Sequence, residues 1–209
     1  MRLIIKIKNF LKNGDIKYFI YFKYSLILGY INTKINILIY GGRLTLGKNS
    51  NIWGSIRFLI DGNGSINIGN DFHAVSSRRR SYSTLFSPCH LTSVRGGKII
   101  LGNHVGLNGN TIVCKKQIKI EDETMIGANT IITDHDGHSI SPIDRWVQND
   151  NPKEISIGKN CWIGMNCIIL KGVSIGNNTV IAAGSIVVKD CKKNSVYGGN
   201  PAKKIKNIV

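Results

Sequence analysis

Acidic side chains are scarce. Of 209 residues, 12 are Asp or Glu against 28 Lys or Arg, a formal net charge of +16. A chain this basic suits an anionic partner, whether nucleic acid, a membrane surface or a phosphorylated cofactor, and charge alone does not choose among them. Proline is down to 4 residues and the 23 Gly are scattered rather than clustered, which excludes a collagen repeat and a flexible linker. Cys-x-x-Cys is absent: Cys89, Cys114, Cys161, Cys167 and Cys191 form no such pair, and five is odd. The expected setting is a reducing cytoplasm, without a disulfide scaffold. Long apolar runs are missing too. The most apolar stretch, residues 18–31, is broken by Lys23 and falls short of the roughly 20 residues that cross a bilayer. No small-residue cleavage site follows a compact apolar run, so a secretory leader is not expected. With 42% hydrophobic and 19% charged residues, the chain is neither disordered nor a membrane bundle. Its length fits one domain of roughly 150 residues plus an extension, enough to bury a core unaided.

What is present is a period of six. Stepping from Ile157 gives Ile157, Ile163, Ile169, Ile175, Ile181 and Val187. Four positions after each stand Cys161, Cys167, Val173, Thr179, Ser185 and Cys191, all small or β-branched. Gly follows the aliphatic at 158, 164 and 176. Upstream the step recurs as Ile120, Ile126, Ile132 and as Leu101, Leu107, Val113, with weaker copies at Leu46, Ile52 and Ile68. Six fits neither an α-helix nor a two-faced strand. It fits a solenoid in which each hexad forms one side of a triangular coil of three hexads. The aliphatic points inward and stacks on its equivalents, the small residue fits near a corner, and Gly relieves crowding or permits positive φ. Backbone polar groups pair between successive coils. In such a coil Cys161, Cys167 and Cys191 read as packing residues. The expected layout is a basic extension over 1–43, a solenoid over 44–188 with a loop at 133–156, and a tail over 189–209.

The run breaks sharply once. Between Ile132 and Ile157 the hexad pattern vanishes, and the chain reads Thr133-Asp134-His135-Asp136-Gly137-His138, then Pro142, Asp144, Arg145, Trp146 and Pro152. A loop leaving a rigid solenoid is where function tends to sit. Imidazoles among carboxylates suit a general base or a metal site. No third His keeps register with these two, which favours the base.

These features resemble the hexapeptide-repeat acyltransferases, above all the sugar O-acetyltransferases: galactoside and maltose acetyltransferases and enzymes acting on bacterial surface polysaccharides. The matching residues run from Ile157 through Cys161-Trp162-Ile163-Gly164, Ile169-Leu-Lys-Gly-Val-Ser-Ile-Gly176 and Val180-Ile-Ala-Ala-Gly-Ser-Ile-Val-Val-Lys-Asp190 to Gly198-Gly-Asn-Pro-Ala-Lys-Lys204. The resemblance is good over residues 98–206 and absent over 1–40. It implies an all-β left-handed parallel β-helix, a homotrimer, and acetyl-CoA meeting a saccharide acceptor in clefts between subunits, with no metal. A loop His would be the base, taking the acceptor hydroxyl's proton as the oxygen attacks the thioester directly. The match favours His138, with His135 second and Asp136 as orienting carboxylate or loop-shaping residue. A backbone N–H beside Trp162-Ile163-Gly164, that of Met165, would meet the oxyanion. Ala182, Ala183 and Ser185 match positions lining pantetheine, although packing explains their size equally well. Lys203 and Lys206 match positions near the cofactor phosphates, and Lys204 is adjacent. For the acceptor the candidates are Asn108 or Asn110, and Arg145 and Trp146 on the loop.

The extension alternates Arg2, Lys6, Lys8, Lys12, Lys17, Lys23 and Lys34 with aromatic and aliphatic residues. It reads as a helix that caps the open solenoid end, lies on an anionic membrane, or does both. The location expected is cytoplasmic, with peripheral contact at the inner membrane face as an option. The run Arg78-Arg79-Arg80 reads as an exposed loop able to meet anions. Competing functions are N-acetyl transfer to an amino sugar or antibiotic, a metal hydratase like the gamma class of carbonic anhydrases, and a noncatalytic binder of anionic polymer. Nucleic acid is not expected as a partner, since no recognition motif accompanies the charge.

Overall fold

The computed structural model describes residues 16–146 and 151–208, with side chains from Ile20 onward. A helix, Ile16–Tyr40, and a short 3-10 turn, Gly41–Arg43, precede a left-handed parallel β-helix of three faces. The first face stacks six strands, from Leu44–Leu46 to Ser174–Ile175. The second stacks eight, from Asn51–Trp53 to Ala202–Asn207, and the third six, from Arg57–Ile60 to Ile186–Val187. Pairing is parallel throughout until Ala202–Asn207 folds back antiparallel on Ser195–Gly199.

The hexads explain this architecture. Ile157 pairs with Ile175, a coil of 175 − 157 = 18 residues. Stacked coils turn each hexad position into a column. Ile68, Leu101, Ile120, Ile157 and Ile175 stack inside the first face, all buried. Ile126, Ile163 and Ile181 do so inside the second, and Leu91, Ile112, Ile132, Ile169 and Val187 inside the third. Each such side chain contributes about 1.5–3 kcal/mol by leaving water. The small inward slots are also closed polar accounts. Thr124 Oγ1 donates to the Gly158 carbonyl at 2.8 Å and accepts from the Cys161 N–H at 3.0 Å. Thr130 repeats this with Gly164 and Cys167. Buried hydroxyls need such partners. All five cysteines are buried and free.

Three details differ from the hexad reading. The step from Leu107 lands on Val113, but the residue that enters the core is Ile112, paired with Ile132, while Val113 pairs with Thr133 and is only partly buried. The corner at Gly109 and buried Asn110 is one residue tighter there, which brings Ile112 inward. Next, Gly158 and Gly164 do not make the left-handed bend. Asn160 and Asn166 do, at φ 53 and 55, since Asn tolerates that region best among residues with a side chain. The glycines permit close stacking instead: a Cβ on Gly164 would lie 2.5 Å from the Ala183 nitrogen. Finally, the upstream coils are genuine but interrupted. Ile66 pairs with Ile99, a lag of 99 − 66 = 33 residues, 33 − 18 = 15 beyond a regular coil. Most of the surplus is a second excursion over 76–89, which carries Arg78, Arg79 and Arg80 out between the second and third faces, and the rest widens the corner at 94–97.

The helix covers the open edge of the first coil. Gly54 N–H donates to the Ser25 carbonyl at 2.8 Å, Ile56 N–H to Asn32 Oδ1 at 3.1 Å, and Tyr40 Oη to the Phe58 carbonyl at 3.3 Å. Gly29 lets helix and coil touch, because a Cβ there would collide with the Ile52 carbonyl oxygen. The basic residues Arg2, Lys6, Lys8 and Lys12 lie outside the described residues. No helix among the described residues is long and apolar enough to cross a membrane.

Candidate active site

Two imidazoles stand where the main excursion leaves the third face. Thr133 ends a strand of that face, Ile131–Thr133, and Asp134 follows it into the interior, fully buried. Its carboxylate accepts the Lys115 N–H at 2.8 Å and the Lys116 N–H at 2.7 Å, closing the corner of the preceding coil. The Cys114 thiol donates to it at 3.3 Å. Beside it His135 Nδ1 lies 3.1 Å from Asp134 Oδ1, with the imidazole side chain only 11% exposed. An ionised carboxylate only accepts, so Nδ1 is the donor to Asp134. His138 is exposed, and its Nδ1 donates to the Arg145 carbonyl at 3.2 Å. A carbonyl only accepts, so here Nε2 is the free basic nitrogen.

Asp136 orients neither imidazole. It forms an ion pair with Lys171, whose Nζ also donates to the Asn151 carbonyl at 3.2 Å. Lys171 thereby ties the outgoing limb of the excursion to the returning limb. Sequence reasoning misses Asp134 and Lys171. The signals that could have found them are the Asp two residues after the last inward hexad aliphatic, Ile132, and a Lys-Gly pair at the corner one coil above. Arg145 Nη2 donates within the loop to the Ile140 carbonyl at 3.3 Å, and Trp146 is 91% exposed.

The remaining candidates lie elsewhere on the coil. Trp162 stands on the second face, 56% exposed, and Met165 at the corner between second and third faces, 40% exposed. One coil above, Ala183 occupies the equivalent corner. Gly164 N–H donates to the Ile181 carbonyl and Asn166 N–H to the Ala128 carbonyl. Between them the Met165 N–H takes no acceptor among the described residues, and neither does that of Ala183. The second face then continues in register, Trp162 to Val180, Val180 to Val196 and Val196 to Lys206. Lys203, Lys204 and Lys206 are all exposed on that last strand. Three ladder steps of about 4.8 Å put the backbone of that strand about 14 Å beyond the Trp162 strand.

Two candidates turn inward. Asn110 is fully buried: its Oδ1 accepts the Asn108 N–H at 2.6 Å and its Nδ2 donates to the Gly127 carbonyl at 2.7 Å. Ser185 is fully buried, with Oγ accepting the Gly199 N–H at 3.2 Å and donating to the Ala182 carbonyl. Both side chains are used by the coil itself. Asn108 stays partly exposed at the corner, but Ser81 of the second excursion donates to its Oδ1 at 3.2 Å. Asn129, one coil up, holds the same excursion through Phe86 N–H and the Thr84 carbonyl. Among the described residues no three His, Cys, Asp or Glu are grouped to hold a metal ion.

Within one chain these groups do not meet. The imidazoles leave at the corner between third and first faces, and the Met165 and Ala183 corner lies between second and third. A whole side of the triangle separates them, up to about 20 Å for six extended residues.

Comparison with known proteins agrees with this geometry. The bacterial transferase hexapeptide (six repeats) pattern matches residues 154–189, and the hexapeptide repeat of succinyl-transferase matches 117–140. An Escherichia coli K12 protein named for lipopolysaccharide-biosynthesis O-acetyl transfer is 30% identical over 162 residues, covering 72% of this chain and 77% of its own length. The galactoside O-acetyltransferase of the same organism is 38% identical over 114 residues, 54% of this chain and 56% of that one. The chain spans little more than half the length of the first curated relatives it matches. Among solved structures, a galactoside acetyltransferase in complex with coenzyme A superposes with a TM-score of 0.58 at 27% identity, covering 94% of this chain and 84% of the other. The shared repeats, the shared coil and the match over most of the lipopolysaccharide relative place this chain in the hexapeptide-repeat acyltransferase family, alongside its sugar O-acetyltransferases.

Proposed function

We propose that the protein transfers an acetyl group from acetyl-CoA to a saccharide hydroxyl, with a relative named for lipopolysaccharide biosynthesis and one named for polysialic acid pointing to surface polysaccharide. The observation that carries the reading is the strip along the edge of the second face: two corner N–H groups without acceptors among the described residues, at Met165 and Ala183, beside a ladder that ends in a strand bearing three lysines. Pantetheine is a thin chain of amides that can run along such an edge, with its phosphates at Lys203, Lys204 and Lys206. The Met165 N–H then faces the thioester oxygen as negative charge develops there, which a fixed donor stabilises strongly.

His138 is the proposed base. Its Nε2 is exposed and its tautomer is set by the Arg145 carbonyl, whereas His135 is enclosed against Asp134. The proton passes from the acceptor hydroxyl to Nε2 as the oxygen attacks the thioester carbon and the coenzyme leaves as thiol. Asp136 serves as a strut through Lys171. Because base and donor strip lie at different corners, the working site joins the excursion of one chain to the strip of a neighbour, and a homotrimer with cyclic symmetry supplies three such sites. Apolar groups around the second face and its corner, Met125, Trp162 and Met165, are 58%, 56% and 40% exposed and would be covered there. Trp146 and Asn108 are the side chains left to meet the sugar. A cytoplasmic setting fits a user of acetyl-CoA.

The test is acetyl transfer from acetyl-CoA to a saccharide panel, read by mass spectrometry. His138→Ala should lower turnover by about 10²–10⁴-fold while coenzyme binding by calorimetry persists. His135→Ala should cost less. Full activity in His138→Ala beside a dead His135→Ala would reverse the choice of base, and absence of coenzyme binding to the wild type would end the reading.

A further inference from the structure

The helix Ile16–Tyr40 has one face on the coil and another with nothing on it. Ile20, Tyr24, Ile27, Ile31, Ile35 and Leu38 are 48–85% exposed. Their spacings are four, three, four, four and three residues, so they form one stripe on the side opposite Ser25, Gly29 and Thr33. At 1.5 Å per residue the stripe is about 27 Å long. A soluble chain rarely leaves so long an apolar strip uncovered.

Charge identifies the occupant. Exposed Lys23 and Lys34 flank one side of the stripe. On the other side the guanidinium of exposed Arg79, from the second excursion, lies 4.6 Å over the ring of Tyr21. Over residues 1–43 the sequence holds eight basic residues and one acidic, Asp15. A second copy docked face to face would bring two such basic sets together, which opposes that pairing. An anionic bilayer surface complements both features, taking the aliphatic stripe into the acyl boundary and the cations against its headgroups. The partly exposed tyrosines Tyr21, Tyr24 and Tyr30 have the amphipathic rings favoured at that depth. The inner face of the helix is already committed to the coil through Ser25, Gly29 and Asn32, so the helix lies on the surface and does not enter across it. We propose that this helix, with the Arg79 excursion beside it, docks the protein peripherally on anionic lipid.

This proposal does not depend on acetyl transfer, and its readout is independent of it. The intact protein is mixed with vesicles of phosphatidylcholine alone or of phosphatidylcholine with phosphatidylglycerol, then separated by flotation. Wild type should float with the anionic vesicles, do so less as salt screens the headgroups, and stay behind with neutral ones. The triple variant Ile27→Glu, Ile31→Glu, Leu38→Glu changes only exposed side chains and should lose at least about tenfold in partitioning, with unchanged circular dichroism and coenzyme binding. Arg79→Ala in place of the triple variant tests the loop arm and should weaken binding without abolishing it. Equal flotation of wild type and triple variant would overturn the proposal. So would absence of binding to anionic vesicles, or sedimentation showing that the triple variant breaks a larger assembly of this chain.

Discussion

His135 and His138 are three residues apart and held in opposite ways. One is enclosed against a buried carboxylate, the other stands in solvent with its tautomer set by a backbone oxygen. The thiols give a sharper residue-scale contrast, because five cysteines beside a proposed acetyl transfer invite the idea of an acyl-thioester intermediate. Burial pushes every one of them up. For Cys191 the pKa reaches about 12, through burial first and the nearby Asp190 charge second. Cys161 and Cys167 are raised by burial, with backbone donors acting against it. A nucleophilic thiol needs the reverse, so these cysteines act as packing residues, in keeping with the direct transfer proposed. The same shifts set a pH dependence. The folded pKa exceeds the unfolded one, so the native state keeps protons that the unfolded chain has lost. Stability from this source is whole below the ordinary thiol pKa and declines as pH rises through the folded values. The thermal midpoint should therefore fall as pH is raised from about 9 toward about 12, and fall less in a Cys191→Ala variant. The wild type should resist maleimide at neutral pH until denaturant is added. A thiol that reacts in the native state with loss of activity would contradict both statements.

At the scale of elements, Gly29 makes a test whose sign inverts a general rule. Replacing a mid-helix Gly with Ala usually stabilises by about 1 kcal/mol. Here the new Cβ would strike the Ile52 carbonyl oxygen, so Gly29→Ala should destabilise, by about 1 kcal/mol or more, measured as a lower urea midpoint. The opposite face of the same helix supplies the control: Ile27 is exposed there, and Ile27→Ala should leave the midpoint nearly unchanged. This element also shows where sequence reading stops. The three columns that contain Ile157, Ile163 and Ile169 were legible because one inward aliphatic per hexad is all a coil needs. The second excursion was legible only as an exposed loop around Arg78 to Arg80, because the upstream copies were too weak to fix where it leaves the coil and where it returns. The pairing of Asp136 with Lys171 was hidden for a different reason. The two are 171 − 136 = 35 residues apart, and only the stacking of coils brings them together. For Asn110 and Ser185, residue type suited a ligand contact and a buried corner equally, and orientation decided.

For the whole molecule, the separation of the imidazoles from the Met165 corner becomes a measurable statement about assembly. One variant, His138→Ala, lacks the proposed base but keeps the donor strip. A second, Ala183→Trp, keeps the base but fills the strip with an indole at an exposed position. Each alone should be inactive. If the protein forms the proposed homotrimer, the two variants co-expressed in equal amounts should assort into mixed trimers in which each site takes its excursion from one chain and its strip from the next. A site is intact when the excursion comes from Ala183→Trp and the strip from His138→Ala, which random assortment makes about one site in four. The mixture should therefore recover about a quarter of wild-type specific activity, with coenzyme bound at about half the sites, since half of the strips are open. If each chain carries its own complete site, the mixture stays as inactive as its parts although coenzyme binding is again halved. The two outcomes differ in activity alone, so the comparison separates a site shared between chains from one complete within each chain.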